Sequence, residues 1–389
     1  MKKQLIPIFL VMLVDILGFT IILPLLPFYA EHMGATPFLA GLLVSVYGLC
    51  QLVAGPVLGP LSDRVGRKPV LIISQAGTLG GFLILAFAQT LPLVFLSRVI
   101  DGLTAGNFSV AQAYISDVTE PRERAHAFGL IGIAFGIGFL LGPAISGFLA
   151  PFGLHYPIFA AAALSATSIV LTQFLLPSAK PALTQKREGN PWSHYARWFG
   201  TPGLSTLLWQ FTAFIAAFAM FVSTFPLFAE RRFVSHGAPV GAKEVGFMFA
   251  YWGLIGIVIQ GGMIGKLVQR FGEHRLILTG FICSVMTYLF LVYSSGFFSL
   301  FLLLTFCGIA GSLLRPSLTS LITQRVEKTE QGMALGLLQV LMSLAQIIAP
   351  IIGGLMMGKL YLSQWAWIGA IISAGGLWAF LGFQNKTAR

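Results

Sequence analysis

The residues best suited to chemistry are four ionisable side chains inside long apolar stretches, where a charge is costly to bury. They are Asp15, Arg98, Asp101 and Arg315. Asp15 stands about ten residues into the first apolar stretch, near the middle of a spanning helix at about 1.5 Å per residue. An apolar environment disfavours the carboxylate relative to the neutral acid, so Asp15 can take up and release a proton. The alternative is a static hydrogen-bond acceptor between packed helices.

Arg98 and Asp101 are three positions apart, which puts them on one helix face where they can form an ion pair. That pair can hold an anionic group or respond to a proton, or it can be a static pair that fixes its helix. We expect Asp15, Asp101 and Arg98 to carry proton coupling. Arg315 precedes Pro316 and has no acidic residue near it in the sequence. It either favours an anionic or electron-rich ligand beside a helix bend or extends to the membrane surface.

The composition places these residues in a multi-pass membrane protein. The chain has 389 residues, of which 56% are hydrophobic and only 10% are charged, whereas soluble domains carry about 25% charged residues. The net charge of +11 can indicate nucleic-acid binding, but the basic residues lie in short loops and not on one face. We therefore expect the lipid bilayer, and no nucleic acid, as a partner.

An enzyme within the membrane would need a base with a nucleophile, or a set of metal ligands. The three cysteines, Cys50, Cys283 and Cys307, are far apart inside apolar stretches. The six histidines lie in loops or at the ends of predicted helices: His32, His126, His155, His194, His236 and His274. We therefore expect neither catalytic activity nor a metal site, and we interpret the cysteines as packing residues.

Twelve apolar stretches are long enough to cross a bilayer, which takes about 20 residues of helix. They cover roughly residues 5–30, 38–61, 69–89, 92–117, 124–149, 155–177, 202–229, 244–268, 275–295, 297–324, 331–357 and 361–383. Lys and Arg are concentrated in alternate loops, which places both termini in the cytoplasm. The predicted fold is all-α, with twelve transmembrane helices.

The chain repeats itself. The first loop motif, Gly59–Pro69, returns in a degraded form as the second loop motif, Gly265–Arg275, and Gln269 replaces Asp63. The predicted divisions are an N-terminal six-helix bundle (1–177), a cytoplasmic linker (178–201) and a C-terminal six-helix bundle (202–389). In the linker, Trp192, Tyr195 and Phe199 share one helical face, which favours an interfacial helix over a disordered segment. Two pseudo-symmetric six-helix bundles with a binding site between them are typical of secondary transporters.

Several segments resemble the major facilitator superfamily, and within it the drug:proton antiporters close to the tetracycline-efflux branch. Residues 59–67 resemble the family's loop signature between helices 2 and 3, and residues 98–102 its helix 4 signature. Residues 138–147, with Gly142 and Pro143, resemble the antiporter signature of helix 5. Residues 15–20 are similar to helix 1 of that branch.

This resemblance implies the major facilitator fold and export of small, largely apolar organic compounds in exchange for protons by alternating access. The proton would be the coupling ion, with no other cofactor, and the protein would be a monomer in the plasma membrane, as in a bacterial inner membrane. Leu71–Ala88 and Leu276–Val292 lack the acidic residues expected of tetracycline exporters, which argues against tetracycline itself. The alternative is a uniporter or symporter of a small metabolite or organic anion.

Three sets of residues follow from these considerations. The predicted substrate cavity contains Asp15, Phe19, Tyr47, Gln51, Arg98, Asp101, Asn107, Phe108, Trp252, Arg315 and Gln339. The predicted cytoplasmic gate contains Gly59, Asp63, Arg64, Gly66, Arg67 and Lys68. The predicted packing face of helix 5 contains Gly132, Gly136, Gly142 and Pro143. At the gate we expect Asp63 to bind the N-terminus of helix 11 near Gly332 in the outward-facing state. Alternatively, the positive charge of this loop only fixes topology.

Overall fold

The computed structural model describes residues 5–119, 124–177, 191–235, 237–293, 296–327 and 330–387. Within these ranges the chain is almost entirely helical, as its composition predicts. The helices are α1 Leu5–His32, α2 Pro37–Val65, α3 Arg67–Ala86, α4 Leu91–Leu103, α5 Asn107–Val118, α6 Arg124–Leu149, α7 His155–Leu175, α8 Pro191–Gly200, α9 Leu204–Arg232, α10 Ala242–Ile257, α11 Ile264–Tyr293, α12 Phe297–Gln324, α13 Gln331–Gly358 and α14 Leu362–Thr387. A short antiparallel ladder pairs Val234 with Pro239 and Ser235 with Ala238.

Ten helical segments in the described part of the chain are long and apolar enough to cross a membrane. One of them, Ala242–Tyr293, runs for 52 residues, which is about twice the length of a spanning helix. It contains both predicted stretches, 244–268 and 275–295. A π-helical turn at Val258–Met263 lies within the first stretch, and the non-helical residue Gly272 lies between the two. The chain is therefore an all-α, multi-pass membrane protein.

The predicted stretch 92–117 is not one helix, because it divides into α4 and α5. The Ser74 hydroxyl of α3 replaces part of the helical hydrogen-bond ladder at the break. It donates to the Thr104 carbonyl oxygen and accepts from the Gly106 amide at 2.9 Å. A side chain inserted into the ladder in this way is a known cause of helix interruption.

Both loop motifs turn at equivalent glycines. Gly66 separates α2 from α3 with φ 108°, and Gly272 lies within α11 with φ 74° and non-helical geometry. Residues with a Cβ rarely adopt such positive φ values, so glycine is required at both turns. The alignment of Gly66 with Gly272 was made from sequence spacing alone, and the backbone at the two positions agrees with it.

Helices from the two sides of the predicted linker pack against one another in two close pairs, α2 with α13 and α6 with α10. At the α2–α13 crossing, Gly41 lies against the backbone of Pro350. At the α6–α10 crossing, Gly253 lies against the backbone of Phe139. Small residues let helix backbones approach in this way inside a bilayer, where van der Waals packing drives association.

The linker forms the predicted short helix at its end, α8. Tyr195 and Trp198 of this helix pack against each other, with ring centroids 6.0 Å apart. Phe199 packs on Trp209 of α9 at 5.6 Å. The earlier part of the linker and the side chain of Trp192 lie outside the described residues.

Candidate functional site

A cavity lies between the helices on the two sides of the linker. Its volume of about 190 Å³ suits a small molecule and not a polymer. Residues before the linker that line it are Phe19, Ile22, Leu23, Leu26, Val44, Tyr47, Phe82, Arg98, Phe135, Gly136 and Phe139. Residues after the linker that line it are Phe214, Ile215, Phe218, Ala219, Val222, Ser223, Trp252, Gly253, Gly256, Gln260, Gly308, Gly311, Ser312, Arg315, Met342, Gln346 and Pro350.

Aromatic rings form a continuous wall across this cavity. Phe135 stacks on Phe139, with centroids 6.3 Å apart, and Phe139 meets Trp252 edge-on at 5.3 Å. Trp252 contacts Phe218 at 5.5 Å, and Phe218 contacts Phe214 at 5.6 Å. The wall crosses from α6 to α10 and α9, so both sides of the molecule contribute to one apolar surface suited to flat, apolar ligands.

The charged side chains among the residues lining this cavity are Arg98 and Arg315. The Arg315 guanidinium lies 5.5 Å from the centroid of the Phe135 ring, in the range of a cation–π contact. Arg315 and Pro316 are both inside α12, and Pro316 interrupts the hydrogen-bond ladder of that helix. The guanidinium therefore reaches the cavity and does not extend away from it.

Arg98 forms the expected pair with Asp101. Arg98 Nη1 lies 3.2 Å from Asp101 Oδ2, and both side chains are only 5% exposed. Arg98 Nε donates to Ser97 Oγ at 3.4 Å, while its Nη2 is buried without a hydrogen-bond partner in the described structure. Gly81 of α3 makes room for the pair, because a Cβ there would lie 2.9 Å from the Asp101 Cβ.

Asp15 does not line the cavity and instead belongs to a polar cluster between α1, α3, α5 and α7. Gln75 Nε2 donates to Asp15 Oδ2 at 3.4 Å and to Ser168 Oγ at 2.7 Å. The side chains of Ser168 and Asn107 also face this carboxyl group. Sequence reasoning missed Gln75 and Ser168, although a lone amide inside the apolar third stretch was a signal for Gln75.

The residues of the predicted cavity fall into two groups. Phe19, Tyr47, Arg98, Trp252 and Arg315 line the cavity. Asp15, Gln51, Asp101, Asn107, Phe108 and Gln339 are not among its lining residues.

Three members of the second group contact residues that line the cavity. Gln51 donates to the Tyr47 hydroxyl at 3.5 Å. Phe108 packs edge-on against Phe135, with centroids 5.5 Å apart. Asp101 binds Arg98.

The side chains of the first loop motif bind partners on the same side of the linker. Arg67 Nη1 lies 2.5 Å from Asp63 Oδ1, and Arg67 Nε donates to Asp117 Oδ2 of α5 at 2.8 Å. Lys68 Nζ donates to the Gln173 carbonyl oxygen of α7 at 2.6 Å. All of these partners precede the linker. Arg64 is exposed, and a Cβ at Gly59 would meet open space.

The second loop motif reverses the charge of this arrangement. Glu273 stands where Arg67 stands in the first motif, and it accepts hydrogen bonds from Ser320 Oγ at 2.9 Å and Gln324 Nε2 at 3.1 Å. Both donors belong to α12. Arg67 thus joins α3 to α5 through a cation, whereas Glu273 joins α11 to α12 through a carboxylate.

Polar contacts join the two sides of the molecule at the opposite end, near Glu31. Ser45 Oγ donates to the Ile347 carbonyl oxygen at 2.7 Å, which links α2 to α13. Arg231 of α9 binds Glu31 of α1 at 2.6 Å and Glu230 at 3.0 Å. These contacts join helices from the two sides of the molecule, α2 to α13 and α1 to α9.

The predicted packing face of helix 5 belongs to α6. Gly142 lies against Thr20 of α1, whose hydroxyl donates to the Gly138 carbonyl oxygen at 2.8 Å. A Cβ at Gly136 would lie 3.1 Å from the Ile257 side chain, whereas Gly132 faces open space. The carbonyl oxygen of Pro143 lies close to Gly246 of α10.

Comparison with known proteins gives a consistent assignment. The family model of the Major Facilitator Superfamily matches residues 8–297 and 240–389. The class C tetracycline resistance protein of Escherichia coli is 30% identical over 345 residues, which cover 87% of this chain and 85% of that protein. Multidrug resistance protein 2 of Bacillus subtilis is 28% identical and covers 90% of this chain and 88% of its own.

Solved transporter structures share the fold. The human organic anion transporter MFSD10 (TETRAN) superposes with a TM-score of 0.72 at 22% identity, covering 98% of this chain and 99% of its own. The nucleoside transporter NupG gives a TM-score of 0.74 at 16% identity, covering 99% of each chain. The family and these relatives are membrane transporters. The chain is therefore a member of the major facilitator superfamily, in the branch that contains the tetracycline and multidrug resistance proteins.

Proposed function

We propose that this transporter exports small, largely apolar organic compounds in exchange for protons. The observation that carries the proposal is the aromatic-walled cavity between the two sides of the molecule. Arg98 lies in its wall and is paired with Asp101 behind it, and Asp15 is four residues from the lining residue Phe19 on α1. The names of the tetracycline and multidrug resistance proteins support export in particular. The chain would need no cofactor other than the coupling proton and would act as a monomer.

The proposal includes twelve membrane crossings with both termini in the cytoplasm. Ala242–Tyr293 would contribute two crossings, with the reversal at Gly272, where the backbone is not helical. The α4–α5 pair would contribute one interrupted crossing, since neither helix alone reaches about 20 residues. The divisions at 1–177, 178–201 and 202–389 would then separate two six-helix bundles with a linker on the cytoplasmic side.

Alternating access would use the two ends of the cavity in turn. In the described state, contacts such as Glu31–Arg231 join the bundles at the end we propose to be extracellular. On the other side, Asp63 binds Arg67 of its own motif. In the opposite state Asp63 would leave Arg67 and accept hydrogen bonds from the N-terminus of α13, since such helix ends attract carboxylates. In the second motif Gln269 takes the place of Asp63 and cannot supply a negative charge. The electrostatic attraction at the second motif would therefore be weaker than at the first.

Proton coupling would begin at Asp15. Among the described residues its carboxyl group faces neutral polar partners, Gln75, Ser168 and Asn107, and none of these holds it in the charged form. Asp101 differs because Arg98 compensates its charge directly. We therefore assign proton uptake and release to Asp15 and a supporting role to the Arg98–Asp101 pair.

An accumulation screen in cells tests the function. Cells with the wild-type protein should accumulate less of some organic compounds than cells with an Asp15→Asn variant, and a protonophore should remove the difference. If accumulation is lower with both proteins and insensitive to the protonophore, coupling to protons is wrong. If the wild type instead raises accumulation, the chain is an importer or uniporter.

A further inference from the structure

We propose that the cavity selects organic anions, namely compounds with an aromatic body and one carboxylate or sulfonate group. This inference rests on the proposed function in one respect, that the cavity is where the exported compound binds. It adds the sign of the charge that the compound carries. The observations that support it are the two arginines in the cavity wall and the absence of a carboxylate among the described residues that line the cavity.

Arg315 is the first of these groups. It lies in the cavity wall over the ring of Phe135, and no ion pair or hydrogen bond of its guanidinium occurs among the described residues. A cation–π contact supplies no acceptor oxygen, so the N–H donors of the guanidinium remain available for hydrogen bonds. A half-buried guanidinium with free donors is suited to a bidentate contact with an oxyanion.

Arg98 supplies the second group, from the other side of the cavity. Its Nη1 is engaged by Asp101, and its centre lies 5.9 Å from the centroid of Phe82. The residue is only 4% exposed, and its Nη2 is buried without a hydrogen-bond partner within the described structure. A buried donor without a partner is destabilising. Because Arg98 lines the cavity, a turn of its guanidinium toward a bound anion would give Nη2 an acceptor.

The charge balance of the wall excludes a cation as the preferred ligand. Among the described residues that line the cavity, Arg98 and Arg315 are charged and no Asp or Glu is present. Asp101 compensates Arg98 from behind, so one positive charge remains without compensation. In surroundings of low dielectric constant, a cationic ligand would be repelled by Arg315 and would find no carboxylate to bind.

The apolar part of the ligand follows from the remaining wall. Trp252, Phe139 and Phe218 present ring faces and edges to the same cavity. A flat aromatic body can pack on these rings while its anionic group reaches the guanidinium groups. The inferred ligand is therefore amphiphilic, with its charge at one end.

Three naphthalene compounds of nearly equal size test this inference: naphthalene sulfonate, naphthalene sulfonamide and naphthyl trimethylammonium. Their binding to the full-length protein in lipid nanodiscs is measured by equilibrium dialysis at neutral pH, without a proton gradient. The wild type should bind the sulfonate about ten- to hundredfold more tightly than the sulfonamide, the range expected for a charge-assisted hydrogen bond. The trimethylammonium compound should bind most weakly.

Substitution at Arg315 locates the effect. Arg315→Gln should weaken sulfonate binding by about tenfold or more and leave sulfonamide binding unchanged. Arg315→Lys should give an intermediate loss, because a lysine keeps the charge without the planar fork. Arg270→Gln is the matched control, since Arg270 also lies 5.5 Å from a phenylalanine centroid, that of Phe271, but does not line the cavity. It should change none of the three affinities.

The inference is overturned if the wild type binds the cation as tightly as the sulfonate, or binds none of the three compounds. An equal loss of all three affinities in Arg315→Gln, or an equal loss of sulfonate binding in Arg270→Gln, also overturns it. If Arg315→Gln does not fold, the affinities of the wild type for the three compounds and the sulfonate affinity of Arg315→Lys still test the inference. Because binding is measured without transport, anion selectivity without export would contradict only the proposed function, and export of cations alone would contradict only this inference.

Discussion

The buried ion pair between Arg98 and Asp101 gives the sharpest prediction about stability. Asp101→Asn leaves the Arg98 guanidinium in a site where its side chain is only 5% exposed, and a guanidinium cannot lose its proton in a protein. Breaking a buried pair by removal of one partner costs about 3–5 kcal/mol. We expect Asp101→Asn to lower the free energy of unfolding by an amount in this range.

The reciprocal variant should be less damaging. Arg98→Gln leaves Asp101 without its cation, but a carboxyl group can bind a proton and become neutral. The destabilisation of Arg98→Gln should therefore be smaller at pH 5 than at pH 8, whereas that of Asp101→Asn should not change with pH. The double variant, which contains two neutral amides, should be more stable than the sum of the single losses predicts, by about 2 kcal/mol.

An exposed ion pair provides the control. Arg197 Nη2 lies only 2.6 Å from Glu330 Oε1, closer than the buried pair, but the Arg197 side chain is 59% exposed and the Glu330 side chain 17% exposed, against 5% for each member of the buried pair. Solvent screening reduces the value of such pairs to about 0–1 kcal/mol, so Glu330→Gln should have little effect. Thermal unfolding of purified protein, followed by tryptophan fluorescence, compares the variants. Equal losses for Asp101→Asn and Glu330→Gln would contradict this prediction, because they would show that burial does not set the energy of an ion pair in this protein.

Two further predictions concern the gate and the packing between bundles. Asp63→Asn should abolish transport without changing membrane orientation, while Gln269→Asn, an amide substitution at the equivalent position, should retain transport; unchanged transport in Asp63→Asn would leave the loop with a role in topology only. Gly253→Ala should lower stability by about 1–3 kcal/mol, because its Cβ would overlap the Phe139 backbone. A Cβ at Gly55 would meet open space, so Gly55→Ala should be neutral or slightly stabilising. Equal melting temperatures for these two glycine variants would contradict the described packing.

The sequence predicted those parts of the fold that depend on local physics. Apolar length predicted the helices, and the spacing of the loop motifs predicted equivalent turns at Gly66 and Gly272. The i,i+3 spacing placed Arg98 and Asp101 on one face, and the structure pairs them. In each case the information lies in neighbouring residues or in a repeat, so no tertiary contact was needed to find it.

Contacts between distant residues were not predictable in this way. The break between α4 and α5 depends on Ser74, which is 32 positions away from Gly106 along the chain. The partner of Asp15 in α7, Ser168, and the contact between Glu31 and Arg231 likewise depend on how the helices pack. A single sequence contains no record of such packing, so the lining of the cavity could be predicted only in part.

Proton movement in liposomes tests the central claim most directly. The full-length protein is reconstituted with a pH-sensitive dye inside the vesicles, and a compound identified in the accumulation screen is added under an imposed pH gradient. We expect the compound to drive proton flux through the wild type, and Asp15→Asn to abolish this flux while the compound still binds. Compound-driven proton flux in Asp15→Asn at the wild-type rate would contradict the assignment of proton coupling to Asp15.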